Sequence, residues 1–336
     1  MSKPAVYVTR HLPGKALEFL GEHCNVRLWE GDLPPPAEEL RRRAAEVDGL
    51  LTLLTDRVDR EVLDAAQSLL IVSNMATGFD NVDVTAATER GVLVTRTPGV
   101  LSETTADFAF ALLLAAARRI VEGHRYTRAG KWKTWGPETL MGSDVHNATI
   151  GIIGMGGIGE EIAKRARGFG MRILYYSRTP KPSLENRYWM EFVGLTALLR
   201  ESDFVTLHAP LTDETRRMID DKALRMMKQT AVLVNTARGP LVDQAALYTA
   251  LSEGWIAAAA LDVTDPEPMP AEDPLLTLEN CIVTPHIASA SVATRSRMAM
   301  LAAEHLVQGL RGETPKNVVN NGVLRKWRRR VARFSS

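Results

Sequence analysis

The chain of 336 residues is predicted to fold as two doubly wound α/β domains, each built on a parallel sheet. Three observations predict this. Short β-rich runs alternate with helical stretches along the N-terminal part, a second alternating series begins afresh at "ATIGIIG", and a glycine-punctuated turn joins the first strand of that series to a helix. The length agrees, because a chain of this size exceeds what one hydrophobic core usually serves.

In order along the chain, "AVYVTR", "NVRLWE", "GLLTLLT", "LLIVSNMA" and "VLVTRTP" read as strands, rich in β-branched residues and bounded by turn formers. Between them, "PAEELRRRAAEV" and "REVLDAAQ" carry the helical apolar period. One long helix is expected from Ser102 to Arg128. Its "ADFAFALLLAAARR" is apolar nearly all round, as in a helix buried between layers, and it reads as a domain connector. The loop "AGKWKTWGPETLMG" follows, and its Trp132 and Trp135 make it too apolar for a free surface. Six further strands are expected at "ATIGIIG", "RILYYSR", "FVTLHAP", "AVLVNTARG", "IAAAALDV" and "CIVTPHI", then a helix at "TRSRMAMLAAEHLVQGLRG". The tail "RKWRRRVARFSS" shows no apolar stripe and is expected to be solvated and disordered.

Composition narrows the function. With 41 Lys and Arg against 40 Asp and Glu the net charge is +1, which gives no electrostatic reason to expect nucleic acid or an anionic membrane as partner. Cys24 and Cys281 stand far apart, so neither a disulfide framework nor a metal site is expected. The start "MSKPAVYVTR" lacks the apolar core of a secretory signal, and "FAFALLLAAA" is half the length needed to span a bilayer. A cytoplasmic protein is expected.

The chemistry concentrates in the second series. Gly154, Gly156 and Gly159 have GxGxxG spacing between an apolar strand and a helix of good formers. Such glycines permit a tight turn, close approach of a pyrophosphate and tight helix packing, while the helix N-terminus offers free N–H groups. Gly157 and Ile158 would line the phosphates. The next strand ends in "YYSRTPKP", where an NAD-preferring site would place an acid on the ribose hydroxyls. Ser177, Arg178, Thr179 and Lys181 stand there instead, a hydroxyl-and-cation set suited to the 2′-phosphate of NADP, or else an exposed polar turn.

Arg238, Asp262, Glu267 and His286 follow at the ends of successive strands, the edge where such sheets bind ligands. An arginine holds a carboxylate bidentately. A glutamate beside a histidine fixes its tautomer and favours its charged form, making an acid-base group for neutral pH. Taken singly, Arg238 could be a surface ion pair, Glu267 a turn acid before Pro268, and His286 a satisfied core histidine. Their order behind a dinucleotide motif favours the functional reading.

The glycine motif with "NTARGPLVD", "ALDVTDPEP" and "TPHIASA" resembles the D-2-hydroxyacid dehydrogenase family, closest in its glyoxylate/hydroxypyruvate reductase branch. The likeness runs from residue 4 to about 320 and includes "ATGFDNVDV" and "WKTWGPETLMG". It implies a Rossmann NAD(P)-binding domain at 101–289, inserted in a flavodoxin-like substrate domain at 1–100 and 290–336. It also implies Arg238, Glu267 and His286 as the catalytic set. Asp262 would hold the nicotinamide carboxamide, with Pro210, Thr236, Ala237 and Ala288 also on the cofactor, NADP(H) preferred and NAD(H) possible. The Thr77 and Gly78 backbone would hold the substrate carboxylate, with Leu54 and Ser289 nearby. Trp135 would reach across from the partner of a two-fold homodimer. Ala288 departs from the family, which usually has glycine there, and its methyl is expected to affect cofactor fit modestly if its φ is negative.

The implied activity is reduction of glyoxylate and hydroxypyruvate to glycolate and D-glycerate, without a metal. Other members of the family are less well matched. Phosphoglycerate dehydrogenases often add a regulatory domain for which too little chain remains, phosphite dehydrogenases carry lysine where Thr77 stands, and formate dehydrogenases have Gln where Glu267 stands. A nucleotide-sensing corepressor-like protein is the non-enzymatic alternative.

Overall fold

In a computed structural model describing residues 3–334, the chain divides into two compact units, Met1–Leu101 with Ala290–Ser336, and Ser102–Ser289. Met1, Ser2, Ser335 and Ser336, the outermost residues of the "MSKPAVYVTR" start and the "RKWRRRVARFSS" tail, lie outside the described residues.

The first unit is built on five parallel strands, β1 (Ala5–Val8), β2 (Asn25–Leu28), β3 (Gly49–Thr52), β4 (Ile71–Asn74) and β5 (Leu93–Thr95), in the order β2-β1-β3-β4-β5. Every residue of β3 and β4 is buried, as in a sheet covered on both faces, which is why they read as unbroken apolar runs. The returning chain covers the β5 edge. Thr95 bridges Val318 antiparallel, and the Val319 N–H donates to the Val94 carbonyl at 2.8 Å, so this edge is not left open to another chain.

The tail differs from expectation. Leu324–Phe334 is a helix that buries Trp327 and Val331, and Val323 just before it is buried too. These sites lie four apart, an apolar stripe hidden in the sequence by the six basic residues around it. Arg330 donates to the Arg90 and Gln67 carbonyls at 2.6 and 2.5 Å, and Lys326 donates to the Glu89 carbonyl. The Glu89 and Arg90 carbonyls lie at the C-terminal end of the helix Val84–Arg90, where positive charge is favoured.

The second unit carries seven parallel strands, β6 (Thr149–Ile153), β7 (Arg172–Tyr176), β8 (Met190–Phe192), β9 (Phe204–Leu207), β10 (Val232–Asn235), β11 (Ala258–Leu261) and β12 (Cys281–Val283). Their order is β12-β11-β10-β9-β6-β7-β8, so the strand order reverses beside β6, the switch point at which such sheets bind ligands. Strand β8 was not expected. It is a three-residue edge strand with Glu191 and Phe192 exposed, too short and too polar to signal itself.

The expected long helix is two, Ser102–Ala117 and Ile120–Arg128, broken at Arg119, which has φ +52°. The first is buried along much of its length, with Ala106, Phe110 and Leu113 in the core, whereas the second buries none of its residues. The break falls where the apolar run meets two arginines. The Arg119 guanidinium bonds Glu122 at 2.7 Å and the Met141 carbonyl at 3.3 Å. Among the described residues, no helix is long and apolar enough to cross a membrane.

Candidate active site

The carboxyl edge of the seven-stranded sheet collects the motifs. After β6 the chain turns at Gly154, φ +100°, where a Cβ would lie 2.5 Å from the Ala209 nitrogen and from the His208 carbonyl carbon. Only glycine takes both the backbone angle and the contact. A Cβ on Gly159 would lie 2.3 Å from the Gly154 carbonyl oxygen, so this residue sets how closely the helix Gly157–Gly168 approaches the turn. Gly156, in contrast, would meet nothing within 4 Å, and it sits at the N-cap of that helix with no side chain to cover the first N–H groups. Open space at a helix N-terminus is what a pyrophosphate requires. Beside β10, the buried Thr236 hydroxyl has no partner among the described residues. The residues present therefore fit a dinucleotide.

At the end of β7, the loop residues Ser177, Arg178 and Thr179 occupy the place where an acid would read the ribose. The Ser177 hydroxyl donates to the Thr179 carbonyl at 2.6 Å, and the Arg178 side chain is exposed. The Lys181 N–H donates to the Tyr175 hydroxyl at 2.6 Å, which anchors the far end of the loop.

After β10, the buried Asn235 shapes the next turn. Its Nδ2 donates to the Arg238 carbonyl at 2.8 Å and its Oδ1 accepts the Ala237 N–H at 3.0 Å. Gly239 lets this turn lie against the next loop, since a Cβ there would be 1.9 Å from the Thr264 carbonyl oxygen. An Asn at a strand end with a glycine four residues on, as in "NTARG", is a turn signature that could have been read from the sequence.

The loops after β11 and β12 meet at Glu267 and His286. Glu267 Oε2 lies 2.9 Å from His286 Nδ1, and Glu267 Oε1 accepts the Thr264 N–H at 3.0 Å. Burial raises the pKa of Glu267, but the hydrogen bond and charge of His286, the Thr264 N–H and the charge of Arg238 outweigh it and hold the carboxyl below its usual value. His286 itself has φ +54°, a left-handed conformation that costs an L-residue about 1–2 kcal/mol.

Asp262 holds His286 there, a role its motif did not announce. Fully buried, it accepts the Thr284 hydroxyl at 2.6 Å and the Ile287 N–H at 2.9 Å on Oδ1, and the Ala288 N–H at 2.7 Å on Oδ2. Its carbonyl accepts the His286 N–H at 2.9 Å. A carboxylate has about four acceptor sites, so three donors leave room for one more. Ala288 is buried and is not among the residues with positive φ, so its methyl adds bulk without backbone strain.

A second imidazole lies at this edge. Burial pushes His208 down to about 3, and its Nε2 lies 2.8 Å from the Thr206 hydroxyl, so it is neutral near pH 7 and a poor proton donor. The remaining expected residues lie in other segments. Thr77, Gly78 and Leu54 are in the first unit, while Trp135 is 79% exposed in the loop after Ile120–Arg128.

Strand order, glycine turn and helix N-terminus define a dinucleotide-binding protein of the two-domain α/β class. The chain belongs to the D-isomer specific 2-hydroxyacid dehydrogenase family, whose NAD-binding domain profile it matches over residues 110–288. It is 55% identical to the glyoxylate reductase of Korarchaeum cryptofilum over 96% of this chain and 98% of that one. A crystal structure of a Thermus thermophilus protein superposes with a TM-score of 0.89 at 50% identity, covering 94% of this chain and 99% of the other. An NADPH-dependent glyoxylate/hydroxypyruvate reductase from Sinorhizobium meliloti, solved with NADP and malonate, superposes with a TM-score of 0.83 at 32% identity, over 96% and 98%.

Proposed function

We propose that this chain reduces glyoxylate and hydroxypyruvate to glycolate and D-glycerate with NAD(P)H, NADPH being preferred. The observation that carries the reading is the Glu267–His286 pair, with the charge of Arg238 felt at Glu267. The glyoxylate reductase and the glyoxylate/hydroxypyruvate reductase among its relatives support the same substrate class.

When bound, the nicotinamide supplies the hydride that the substrate carbonyl carbon takes. Arg238 binds the substrate carboxylate and carbonyl oxygen bidentately. With Nδ1 engaged by Glu267, His286 gives the proton on Nε2 to the developing alkoxide and is left neutral, to be reprotonated by water. Glu267 orients the ring and stabilises the imidazolium. Gly154, Gly156, Gly157, Ile158 and Gly159 cradle the pyrophosphate, and Ser177, Arg178 and Thr179 take the 2′-phosphate. Pro210, Thr236, Ala237, Asp262 and Ala288 complete the cofactor site. The Thr77 and Gly78 N–H groups and Ser289 bind substrate.

Leu54 and Trp135 of a second copy limit substrate size. Leu54 is 37% exposed two residues beyond β3, and Ile120, Trp132, Trp135 and Met141, all exposed apolar residues within the stretch 120–141, are suited to a homodimer interface. The working compartment is the cytoplasm, with no nucleic-acid or membrane partner. The test is kcat/KM for glyoxylate, hydroxypyruvate, pyruvate and phenylpyruvate with each cofactor. The two small polar acids are expected to outpace phenylpyruvate by at least roughly 100-fold, about two increments of steric discrimination. Negligible turnover of every acid would point instead to a nucleotide-sensing protein.

A further inference from the structure

The segment Ala76–Phe79 follows β4 in the first unit, and three of its carbonyls have protein donors. The Ala76 carbonyl accepts the Thr97 N–H at 2.8 Å, the Thr77 carbonyl accepts Arg96 Nη1 at 3.1 Å, and the Gly78 carbonyl accepts Asn74 Nδ2 at 3.1 Å. Three successive carbonyls are thus tied to the protein. The N–H groups of the same three peptides belong to Thr77, Gly78 and Phe79, and among the described residues none of them meets a protein acceptor. The peptides are trans, so each N–H points away from its tied carbonyl. Thr77 and Gly78 are half-buried and Phe79 is exposed, so these donors are open to a ligand. Successive backbone N–H groups without a protein acceptor are donors that an anion can take.

Arg96 differs from the other two anchors because it is charged. Its guanidinium bonds the carbonyl of the peptide whose N–H is on Gly78, and it also lies 5.6 Å from the centre of the Phe79 ring. A cation on a carbonyl oxygen polarises that peptide and strengthens its N–H as a donor, and stacking on Phe79 fixes the other end of the segment. Asn74 is fully buried and its Nδ2 also donates to Asn81 Oδ1 at 3.0 Å, while Asn81 Nδ2 donates to the Leu53 and Asp56 carbonyls at 3.0 and 2.9 Å. The support beneath the segment is therefore rigid and reaches the loop that carries Leu54.

We propose that Arg96 is a positioning residue for the substrate carboxylate, holding the Thr77–Phe79 N–H groups in register and polarising the Gly78 N–H from behind. This rests on the reading that those N–H groups bind the carboxylate of a small 2-oxo acid. Arg96 acts through the peptide, so its loss weakens anion binding while proton transfer at His286 is untouched.

The test compares Arg96→Met, Arg96→Gln and Arg96→Lys with wild type by glyoxylate kinetics, NADPH binding, thermal melting and calorimetric titration of the NADP-loaded protein with oxalate. Arg96→Met is expected to raise KM and the oxalate Kd by about tenfold, the low end for a charge-assisted hydrogen bond, with kcat within about twofold and NADPH affinity unchanged. Arg96→Gln keeps a neutral donor and falls between, while Arg96→Lys keeps the charge and restores most of the affinity. If Arg96→Met melts early, the Gln and Lys pair carries the comparison. An unchanged KM and oxalate Kd, or a loss confined to kcat, would overturn the proposal. Should wild type bind oxalate but fail to reduce glyoxylate, the proposed activity fails, and the oxalate series still decides the role of Arg96.

Discussion

Asp262 carries His286 as much as Glu267 does: its backbone carbonyl takes the His286 N–H at 2.9 Å while its carboxylate grips the two residues that follow. The imidazole therefore sits on a turn held from beneath, in a backbone conformation it would not adopt by itself. Held in this way, the ring is presented at a defined angle to Glu267, and the predictions begin from that pair.

Removing the imidazole tests its role. His286→Ala is expected to lower kcat for glyoxylate by 10²- to 10⁴-fold, the range for loss of a general acid, with NADPH binding retained. Turnover like that of wild type would dismiss His286 as the proton donor.

Acid titration of Glu267 should be visible in stability. Its folded-state pKa is depressed below 4.5, so its contribution is present above 4.5 and is lost as pH falls through the folded value. The melting temperature of wild type relative to Glu267→Gln should therefore rise with pH through the region below 4.5 and level off above it. A difference that stays constant across that range would mean that the carboxylate gains nothing from its partners in the fold.

Cofactor choice is read at the exposed Arg178. If it contacts the 2′-phosphate, Arg178→Ala should reduce the ratio of kcat/KM for NADPH over NADH by roughly tenfold or more, from a charge-assisted contact worth about 1.5–3 kcal/mol. Wild type that works better with NADH would rule out a phosphate site in "SRTPKP".

The exposed tryptophans predict an assembly. Light scattering at micromolar protein is expected to give a dimer, and Trp132→Ser with Trp135→Ser should shift it toward monomer. A monomeric wild type would remove the reason for two indoles that are 62% and 79% exposed.

Trp327 makes the basic tail structural. Because its side chain is fully buried, Trp327→Ala should cost about 3–5 kcal/mol in unfolding of the first unit. Melting unchanged by the substitution would return the tail to the solvated state expected from its charge.

Much of the sheet was legible because buried parallel strands declare themselves as apolar runs, and because GxGxxG between a strand and a helix has few physical uses. Eleven strands followed from that logic, and Arg238, Glu267 and His286 stood out as polar residues at strand ends. Strand β8 escaped because an edge strand of three residues needs neither alternation nor an apolar run. Arg119 and the tail helix escaped for a different reason. Local pattern predicts a continuous helix at Ser102–Arg128 and no helix in "KWRRRVAR", but what each stretch can bury depends on the surface it meets. The Glu267–His286 contact spans 19 residues in sequence, and the Asp262 bonds that hold His286 span 25 and 26. Residue types and their order along the chain were enough to nominate the chemistry. Tertiary structure alone decided the left-handed turn at His286 and the pinned carbonyls behind Thr77 and Gly78, because a strained angle or a directed N–H persists only where distant groups hold it.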